Sequence, residues 1–427
     1  MAPSAVPIEG TTSELTLAGV AHNIQKTAAS LIGGSSSPLP ELDASQLTFS
    51  YTKNPKSVPA VGSPELESQT ICTDHMITAE WSVRHGWAAP ELRPYGPLAI
   101  MPNASVLHYA TECFEGMKLY RGYDGKLRLF RPERNATRML TSANRIALPA
   151  FHPQELEKLI AQLCATDGKK WLPKDQPGNF LYIRPTLIAD DPALGVRRPE
   201  HALLYIFLSC FPIMDTKLDE DGTPRGLKLY ASQEDTIRAW PGGFGYAKLG
   251  ANYGPSLVAH GEAAARGYDQ ILWLFGDNCY VTEAGASNFF IVWKTREGNT
   301  QLVTAPLKDK IILDGVTRRS VLELARERLC SGWDRFQALE VVERKFEMSE
   351  IVSAVKEGRI VEAFVSGTAF FIAPIEMIHF RGEDLTIPTS TSENGSYAQV
   401  IKTWLKNIMY GKERHPWGVV VEEKEEA

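Results

Sequence analysis

Hydrophobic residues recur with two different spacings in the first half of the chain. Residues 127–132 alternate apolar and polar side chains and end at a proline, which predicts a strand. In residues 134–147 and 153–163 the apolar positions follow the three- and four-residue steps of an amphipathic helix. Residues 180–188 and 202–208 are rich in aromatic and branched side chains, so both segments are predicted to be strands.

The second half also mixes the two periods. Strands are predicted at residues 227–231, 270–274, 289–293 and 362–366, and helices at residues 256–267, 317–329 and 396–410. Internal repeats and coiled-coil heptads are absent from this pattern. The predicted fold class is therefore mixed α/β (α+β).

The chain is long enough for two domains, taking roughly 150 residues per domain as a guide. Residues 1–45, which include a Gly-, Ser- and Pro-rich stretch, are predicted to be poorly ordered, with regular structure starting near Thr73. We predict a small α/β domain at 46–213 and a polar linker at 214–226. A larger α/β domain is predicted at 227–427.

Composition narrows the possible functions. Of the 427 residues, 44% are hydrophobic and 22% charged, and the formal charge is −6, which argues against a general nucleic-acid binder. No apolar run is long enough to span a bilayer, and a secretory signal is not expected. Residues 1–50 contain four acidic residues and no arginine, so cytoplasm is favoured over mitochondria. None of the six cysteines forms a C-x-x-C pair, so no metal site is predicted.

One lysine stands out from the rest of the chain. Lys248 is the single charged residue between Arg238 and Glu262, and five glycines surround it. A lone lysine is usually a solvated surface residue, and glycines also mark ordinary loops. An apolar pocket, however, disfavours the charged amine and makes it a nucleophile, as a Schiff-base lysine requires.

Glu283 is a carboxylate that follows Lys248 later in the chain. Glu283 lies in a second segment of small residues, where the simplest interpretation is a surface turn. A carboxylate beside a pyridine nitrogen keeps that ring protonated, because an opposite charge favours the charged form. Lys248 and Glu283 together therefore predict a pyridoxal 5'-phosphate enzyme.

Three further segments could hold the phosphate of such a cofactor. Arg138 lies on the predicted helix 134–147, and an arginine can bind phosphate through two hydrogen bonds. Residues 313–317 open a predicted helix, whose first backbone amides form an anion site. Residues 366–369 form another glycine-containing turn after a strand.

The whole set of motifs resembles the branched-chain amino-acid aminotransferases, members of the fold-type IV pyridoxal-phosphate enzymes. The resemblance runs from about Thr73 to about Gly411. It is carried by TDHM (73–76), LHYATECFEGMK (107–118), FRP (130–132), YIRP (182–185), LGV (194–196), KLGANYGP (248–255), EAGASNFF (283–290), LVT (302–304), LDGVTR (313–318) and SGTA (366–369).

The resemblance implies a homodimeric enzyme that exchanges an amino group between a hydrophobic L-amino acid and 2-oxoglutarate. Lys248 would bind the cofactor as a Schiff base and move the Cα proton, Glu283 would pair with the ring nitrogen, and Tyr253 with the phenolic oxygen. The remaining implied roles are phosphate binding by Arg138, Val316, Thr317 and Thr368, substrate binding by Tyr182, Arg184 and Ala369, and contacts to the partner subunit's pocket by Tyr109, Leu194 and Val196.

Three positions depart from the family pattern. Ser68 stands where the family usually has an aromatic residue, Ala286 replaces a threonine, and no tyrosine is found near Met214. A specialised transaminase of secondary metabolism, with an altered side-chain pocket, is therefore an alternative. A fold-type IV lyase or D-amino-acid enzyme and a non-catalytic protein with the same fold are the others.

Overall fold

The computed structural model describes residues 38–60, 62–212, 225–334, 336–389 and 395–423. These residues form two β-sheets with helices packed against them, and the predicted mixed α/β class is confirmed. Five cysteines are buried and Cys330 is exposed. Within the described residues, no helix combines the length and apolar composition needed to cross a membrane.

The first sheet is formed by the first half of the chain and one strand from its end. Over the described residues it has ten strands in the order β1-β4-β2-β9-β8-β6-β7-β19, with β3 beside β2 and β5 beside β8. The strands are β1 Thr48–Phe49, β2 Cys72–Ser82, β3 Gly86–Trp87, β4 Glu91–Pro94, β5 Glu112–Phe114, β6 Met117–Arg121, β7 Leu127–Phe130, β8 Phe180–Ile188, β9 His201–Cys210 and β19 Gly418–Val421.

The second sheet follows the order β12-β11-β10-β17-β16-β13-β14-β15, with β18 beside β17. Because β12 also pairs with β13, six of these strands close on themselves. The strands are β10 Leu227–Ala231, β11 Gln270–Phe275, β12 Tyr280–Ala284, β13 Ser287–Lys294, β14 Thr300–Thr304, β15 Leu339–Glu343, β16 Ile360–Gly367, β17 Phe371–Phe380 and β18 Glu383–Thr386.

The α-helices flank these sheets, and the predicted ones other than α4 begin and end close to the expected residues. They are α1 Pro64–Glu67, α2 Ser105–Tyr109, α3 Pro132–Arg145, α4 Pro153–Trp171, α5 Ser256–Ala265, α6 Val316–Arg328, α7 Met348–Lys356 and α8 Tyr397–Met409. Short 3₁₀ helices lie at Ala44–Gln46 and Gly250–Asn252.

Helix α4 is longer than the predicted 153–163. Its buried positions continue with helical spacing through Cys164 and Asp167 to Trp171. Gly168 would ordinarily weaken a helix, but here it lets the helix lie close to β7, because a Cβ at this position would come 2.6 Å from Leu127 Cδ1. The contact with the sheet therefore outweighs the local preference.

Contacts near the two ends of the described chain differ from the predicted domain boundaries. The sequence predicts poor order up to residue 45, whereas Leu42 is 2% exposed and the Ala44 amide donates to Glu155 on α4 at 2.8 Å. Strand β19 pairs with β7, so residues 418–421 belong to the first sheet and not to the second. Residues 1–37 and most of the predicted linker lie outside the described residues. The boundaries at 213 and 227 remain a proposal.

The two sheets share part of their hydrophobic core. One cluster of buried side chains includes Tyr120 and Phe180 of the first sheet together with Phe290 and Phe364 of the second. A separate cluster lies between the first sheet and helices α3 and α4. This shared core fixes the edges of both sheets that face the cavity described below.

The Phe290–Phe364 pair provides a test of this core. Both rings are fully buried and lie parallel, with centroids 5.0 Å apart. We expect Phe364→Leu to lower the free energy of unfolding by about 1–2 kcal/mol, because it leaves space and removes the ring contact. Urea denaturation followed by fluorescence would measure this. Phe49→Leu, at an exposed position, should change stability by less than about 0.5 kcal/mol, and equal losses in both variants would contradict the prediction.

Candidate active site

A cavity of about 580 Å³ lies where the two sheets meet. This volume is within the usual range for small-molecule sites. Residues from β5, β6 and β8 of the first sheet and from β12, β13 and β16 of the second line its walls or the turns beside them. The predicted site residues that it brings together are Arg138, Tyr182, Arg184, Lys248, Tyr253, Glu283, Val316, Thr317, Thr368 and Ala369.

Three predicted residues lie elsewhere. Tyr109, Leu194 and Val196 do not line the cavity in the described part of the chain, and they are 41%, 58% and 87% exposed. The Tyr109 hydroxyl donates a hydrogen bond to the Leu194 carbonyl. This contact joins the C-terminal end of α2 to the loop after β8.

Lys248 is held at the boundary between the sheets through its backbone. Its amide donates to the Ser142 hydroxyl on α3 at 2.8 Å, and its carbonyl accepts from the Phe114 amide at 3.2 Å. The side chain is half-buried, and Nζ donates to the Tyr253 hydroxyl at 3.1 Å. The lysine therefore has a fixed backbone, an aromatic neighbour for its amine and access to the cavity.

Glu283 forms another wall of the cavity, at the end of β12, and is 2% exposed. Its Oε1 accepts hydrogen bonds from Asn288 Nδ2 and from the Leu313 amide, both at 3.1 Å. Its Oε2 lies 2.5 Å from Arg238 Nη1, although the two are not aligned as a hydrogen bond. Burial raises the pKa of the Glu283 carboxyl, and the charge of Arg238 and the Leu313 amide oppose this rise.

Asn288 lies so close to Gly315 that only glycine fits at position 315. A Cβ on Gly315 would come 2.1 Å from Asn288 Oδ1. Asn288 also donates to the Leu313 carbonyl at 3.0 Å. The same amide group therefore connects Glu283 to the loop that leads into α6.

Arg138 projects from α3 and pairs with a buried carboxylate. Its Nε and Nη2 each donate to Glu115 at 2.7 Å, and its Nη1 donates to the Asp314 carbonyl at 2.8 Å. Burial alone would lower the pKa of Arg138, but the Glu115 carboxylate outweighs it and the pKa is raised. A guanidinium has five N–H donors, so two remain for a ligand in the cavity.

The N-terminus of α6 lines the same part of the cavity as Arg138. Gly315 precedes the helix, and no side chain caps it in the described residues. The first amides of a helix carry partial positive charge and have no partner within the helix. Val316 and Thr317 both line the cavity here, as do Arg138 and Thr368. The arrangement can hold a phosphate group.

The turn after β16 is tied to the first sheet by two hydrogen bonds. Thr368 Oγ1 donates to the Gly116 carbonyl at 3.3 Å, and Lys118 Nζ donates to the Ala369 carbonyl at 2.9 Å. Lys118 also lies 3.8 Å from the centre of the Phe180 ring. These contacts fix the turn that supplies Thr368 and Ala369 to the cavity.

Tyr182 and Arg184, on β8, form the side of the cavity that the first sheet contributes. A Cβ on Gly116 would come 1.9 Å from the Tyr182 hydroxyl, so only glycine permits this approach. Arg184 lies over Phe114, with 4.7 Å between its Cζ atom and the ring centre. Its Nε is buried without a hydrogen-bond partner in the described residues. A buried donor of this kind is costly unless a ligand accepts from it.

The three departures from the family pattern have different positions. Ala286 lines the cavity, whereas Ser68 is exposed at the end of α1 and does not. Met214 lies outside the described residues. Of the three, Ala286 is the one that the structure connects to the pocket wall.

Comparison with known proteins identifies the family of the chain. The family model for class IV amino-transferases matches residues 112–378, more than half of the chain. The chain belongs to the class IV aminotransferases. The fold class and family predicted from the motifs are therefore confirmed.

Relatives of this aminotransferase cover most of its length. The cytosolic branched-chain-amino-acid aminotransferase of Saccharomyces cerevisiae is 45% identical over 387 residues, which are 90% of this chain and 98% of that protein. The mitochondrial branched-chain-amino-acid aminotransferase of Schizosaccharomyces pombe is 43% identical over 382 residues, which are 88% of this chain and 85% of that protein.

A solved structure shares the fold. A branched-chain aminotransferase from the thermophilic archaeon Thermoproteus uzoniensis, with norvaline, has a TM-score of 0.60 and 25% identity, over 81% of this chain and 99% of that one. A second branched-chain amino acid aminotransferase, complexed with N-(5'-phosphopyridoxyl)-L-glutamate, has a TM-score of 0.58 and 24% identity, over 81% of this chain and 98% of that one.

Sequence reasoning assigned no role to several residues that organise this aminotransferase's site. Glu115, Arg238 and Asn288 each touch a predicted site residue, and Ser142 holds the backbone of Lys248. Glu115 carries one signal in the sequence, since it is an acidic residue followed by glycine and an apolar position. The sequence around Ser142 and Arg238 does not indicate their roles, because their partners are distant along the chain.

Proposed function

We propose that this aminotransferase uses pyridoxal 5'-phosphate to exchange an amino group between a branched-chain, hydrophobic L-amino acid and 2-oxoglutarate. The products are the branched-chain 2-oxo acid and L-glutamate. The observation that carries the proposal is the meeting of Lys248, Glu283 and Arg138 in one cavity, where each supplies what one part of the cofactor requires. The names of the relatives support the choice of substrate.

The residues of the cavity fit this cofactor. Arg138, the amides of Val316 and Thr317, and the Thr368 hydroxyl would hold the phosphate. Glu283 would face the ring nitrogen, and Tyr253 the phenolic oxygen. Buried polar atoms without a hydrogen-bond partner in the described residues are found on Arg184, Glu283 and Ser366, which all line this cavity.

Bound pyridoxal phosphate supplies an aldehyde that joins to amines and a ring that withdraws electrons from the substrate's Cα. Lys248 would hold the cofactor, and its Nζ would take the proton from the substrate's Cα. The carboxylate of Glu283 would keep a proton at the ring nitrogen. Tyr253, 3.1 Å from Lys248 Nζ, orients that amine.

We assign substrate selection to residues of the cavity that are not proposed to bind the cofactor. Tyr182, Phe114, Ala286 and Ala373 give it an apolar wall, as an aliphatic side chain requires. Arg184 would bind the distal carboxylate of glutamate or 2-oxoglutarate through its unpartnered Nε. The backbone of Ala369 would contact the substrate carboxylate nearest to the reacting carbon.

The active unit is proposed to be a homodimer. Tyr109, Leu194 and Val196 expose apolar side chains that a second copy of the chain would cover. We also propose a cytoplasmic location, which microscopy of a tagged chain would test, since relatives carry both cytosolic and mitochondrial names.

The experiment that tests the function is a visible absorbance scan of the purified protein with pyridoxal phosphate, before and after addition of L-leucine. We expect a Schiff-base band that bleaches with L-leucine and persists with D-leucine. A band that responds only to D-leucine would indicate a D-amino-acid enzyme. Failure to form any band would contradict the proposed function.

A specialised transaminase with another side-chain preference is the second candidate. It is favoured by Ala286, which lines the cavity and has a smaller side chain than threonine, so it leaves more room for the substrate's side chain. The same scan with a panel of larger L-amino acids would separate the two. Faster bleaching by an aromatic substrate than by leucine, isoleucine or valine would favour this candidate.

Removal of the Tyr253 hydroxyl tests the proposed orientation of Lys248. We expect Tyr253→Phe to lower kcat about ten-fold, because one hydrogen bond to a charged group is lost. Steady-state kinetics with L-leucine would measure it. Tyr246→Phe, in the same glycine-rich segment but outside the cavity lining, serves as the control. A Tyr253→Phe enzyme with unchanged kcat would show that the hydroxyl has no such role.

A further inference from the structure

Arg238 approaches Glu283 from outside the cavity. Glu283 lines the cavity, whereas Arg238 does not occur among the described residues that line it. The Arg238 side chain is 9% exposed and its Nη1 lies 2.5 Å from Glu283 Oε2. Oε1 is already satisfied by Asn288 and Leu313. Glu283 is therefore bounded by the cavity on one side and by Arg238 on another.

The position of Arg238 is fixed by the packing of its neighbour. Ala239 is buried in a small cluster with Ile311 and Ile312. The next residue, Leu313, donates its amide to Glu283. Gly245 allows this packing, because a Cβ there would come 2.5 Å from Ala239 Cβ and 2.7 Å from the Ile311 carbonyl oxygen. One packed unit thus delivers both the guanidinium and the amide to the same carboxylate.

The other cations that influence Glu283 have different partners. Lys248 hydrogen-bonds to Tyr253 and is assigned to the cofactor. Arg318 donates to Glu343 and to the Ala305 carbonyl, each at 2.7 Å. Among the described residues, Arg238 is the cation within ion-pair distance of Glu283.

We propose that Arg238 is a positioning residue that holds Glu283 as an oriented carboxylate toward the cofactor ring. The inference rests on the proposed function in one respect, that the ring nitrogen faces Glu283. A nearby positive charge makes a carboxylate less basic. A proton shared between Glu283 and the ring nitrogen therefore stays on the nitrogen. Without Arg238 the proton would move toward Glu283, and the contact would lose its ionic character.

Two measurements on Arg238→Met test the proposal. In the apoprotein at neutral pH, infrared spectroscopy should show a protonated carboxyl band, which disappears in the double variant Arg238→Met/Glu283→Gln. Titration with pyridoxal phosphate should show about ten-fold weaker binding at neutral pH, the effect of roughly one pKa unit. Because Glu283 ionises as the pH rises, this loss should shrink at higher pH. Arg238→Lys should restore most of the affinity.

Arg145→Met is the matched control. Arg145 contacts the carbonyls of Gly242 and Gly243, in the same segment, but no carboxylate among the described residues. It should leave the protonation of Glu283 unchanged. If Arg238→Met gives no folded protein, Arg238→Gln, which also lacks the charge, replaces it with the same expected results.

The outcomes separate this inference from the proposed function. An Arg238→Met apoprotein without the acid band, or an affinity loss that is equal at every pH and is shared by Arg145→Met, would overturn the role of Arg238. Wild-type protein that binds no pyridoxal phosphate would instead overturn the proposed function. The infrared result would then still report on the Arg238–Glu283 pair.

Discussion

Replacement of Lys248 by alanine is expected to lower the turnover of L-leucine by about a thousand-fold or more. General acid–base catalysis alone contributes about 10²–10⁴-fold, and Lys248 is also assigned the covalent attachment of the cofactor. Its amine is 3.1 Å from the Tyr253 hydroxyl and reaches the same cavity as Glu283. Stopped-flow measurement of a single turnover would separate the loss of chemistry from slow product release.

The control for this variant is Lys308→Ala, at an exposed position outside the cavity lining. It should retain wild-type turnover. The Lys248→Ala protein should also fail to form a Schiff-base band with pyridoxal phosphate, while it still binds the phosphate end of the cofactor through Arg138. Full turnover in the Lys248→Ala protein would refute the assigned mechanism.

Replacement of Arg184 by methionine is expected to affect the two half-reactions unequally. The half-reaction with glutamate or 2-oxoglutarate should slow by about 10–100-fold in kcat/KM, because charge-assisted hydrogen bonds to the distal carboxylate are worth about 1.5–3 kcal/mol. The half-reaction with L-leucine should change by less than about three-fold, since leucine has no second carboxylate. Each half-reaction is measured by the change in cofactor absorbance.

Arg266→Met, at an exposed arginine outside the cavity lining, is the control. It should leave both half-reactions unchanged. Equal losses with glutamate and leucine in the Arg184 variant would show that Arg184 supports the shape of the cavity and does not recognise the distal carboxylate. Tyr182, which Arg184 contacts weakly at 3.4 Å, would then be the next residue to test.

Both predictions concern residues that the sequence had already singled out, Arg184 through the resemblance to the family and Lys248 also through its local chemistry. Lys248 is isolated among glycines, and Glu283 lies in a short segment of small residues, so each departs from an ordinary surface position. The same holds for the helix start, where Gly315 directly precedes the first helical residue, Val316. Motifs of this kind can be recognised in a single sequence because the residues that form them are neighbours along the chain.

The partners of these residues could not be predicted in this way. Glu115 meets Arg138 across 23 residues, Ser142 meets Lys248 across 106, and Arg238 meets Glu283 only after helix α5 and strand β11 have intervened. Two further contacts between distant segments could not be predicted from local composition. Leu42 is buried against the first sheet, and β19 returns to pair with β7.

The sequence by itself determined the fold class, the family and the residues proposed to carry the chemistry, because periodicity and short motifs record the local backbone and the local reactivity. The tertiary structure alone decided which charges face one another. It placed Glu115 on Arg138, Arg238 on Glu283, and the Lys118 ammonium on the turn at Ala369. Such pairs form between distant segments, and their energies depend on burial and distance, which a linear sequence does not contain.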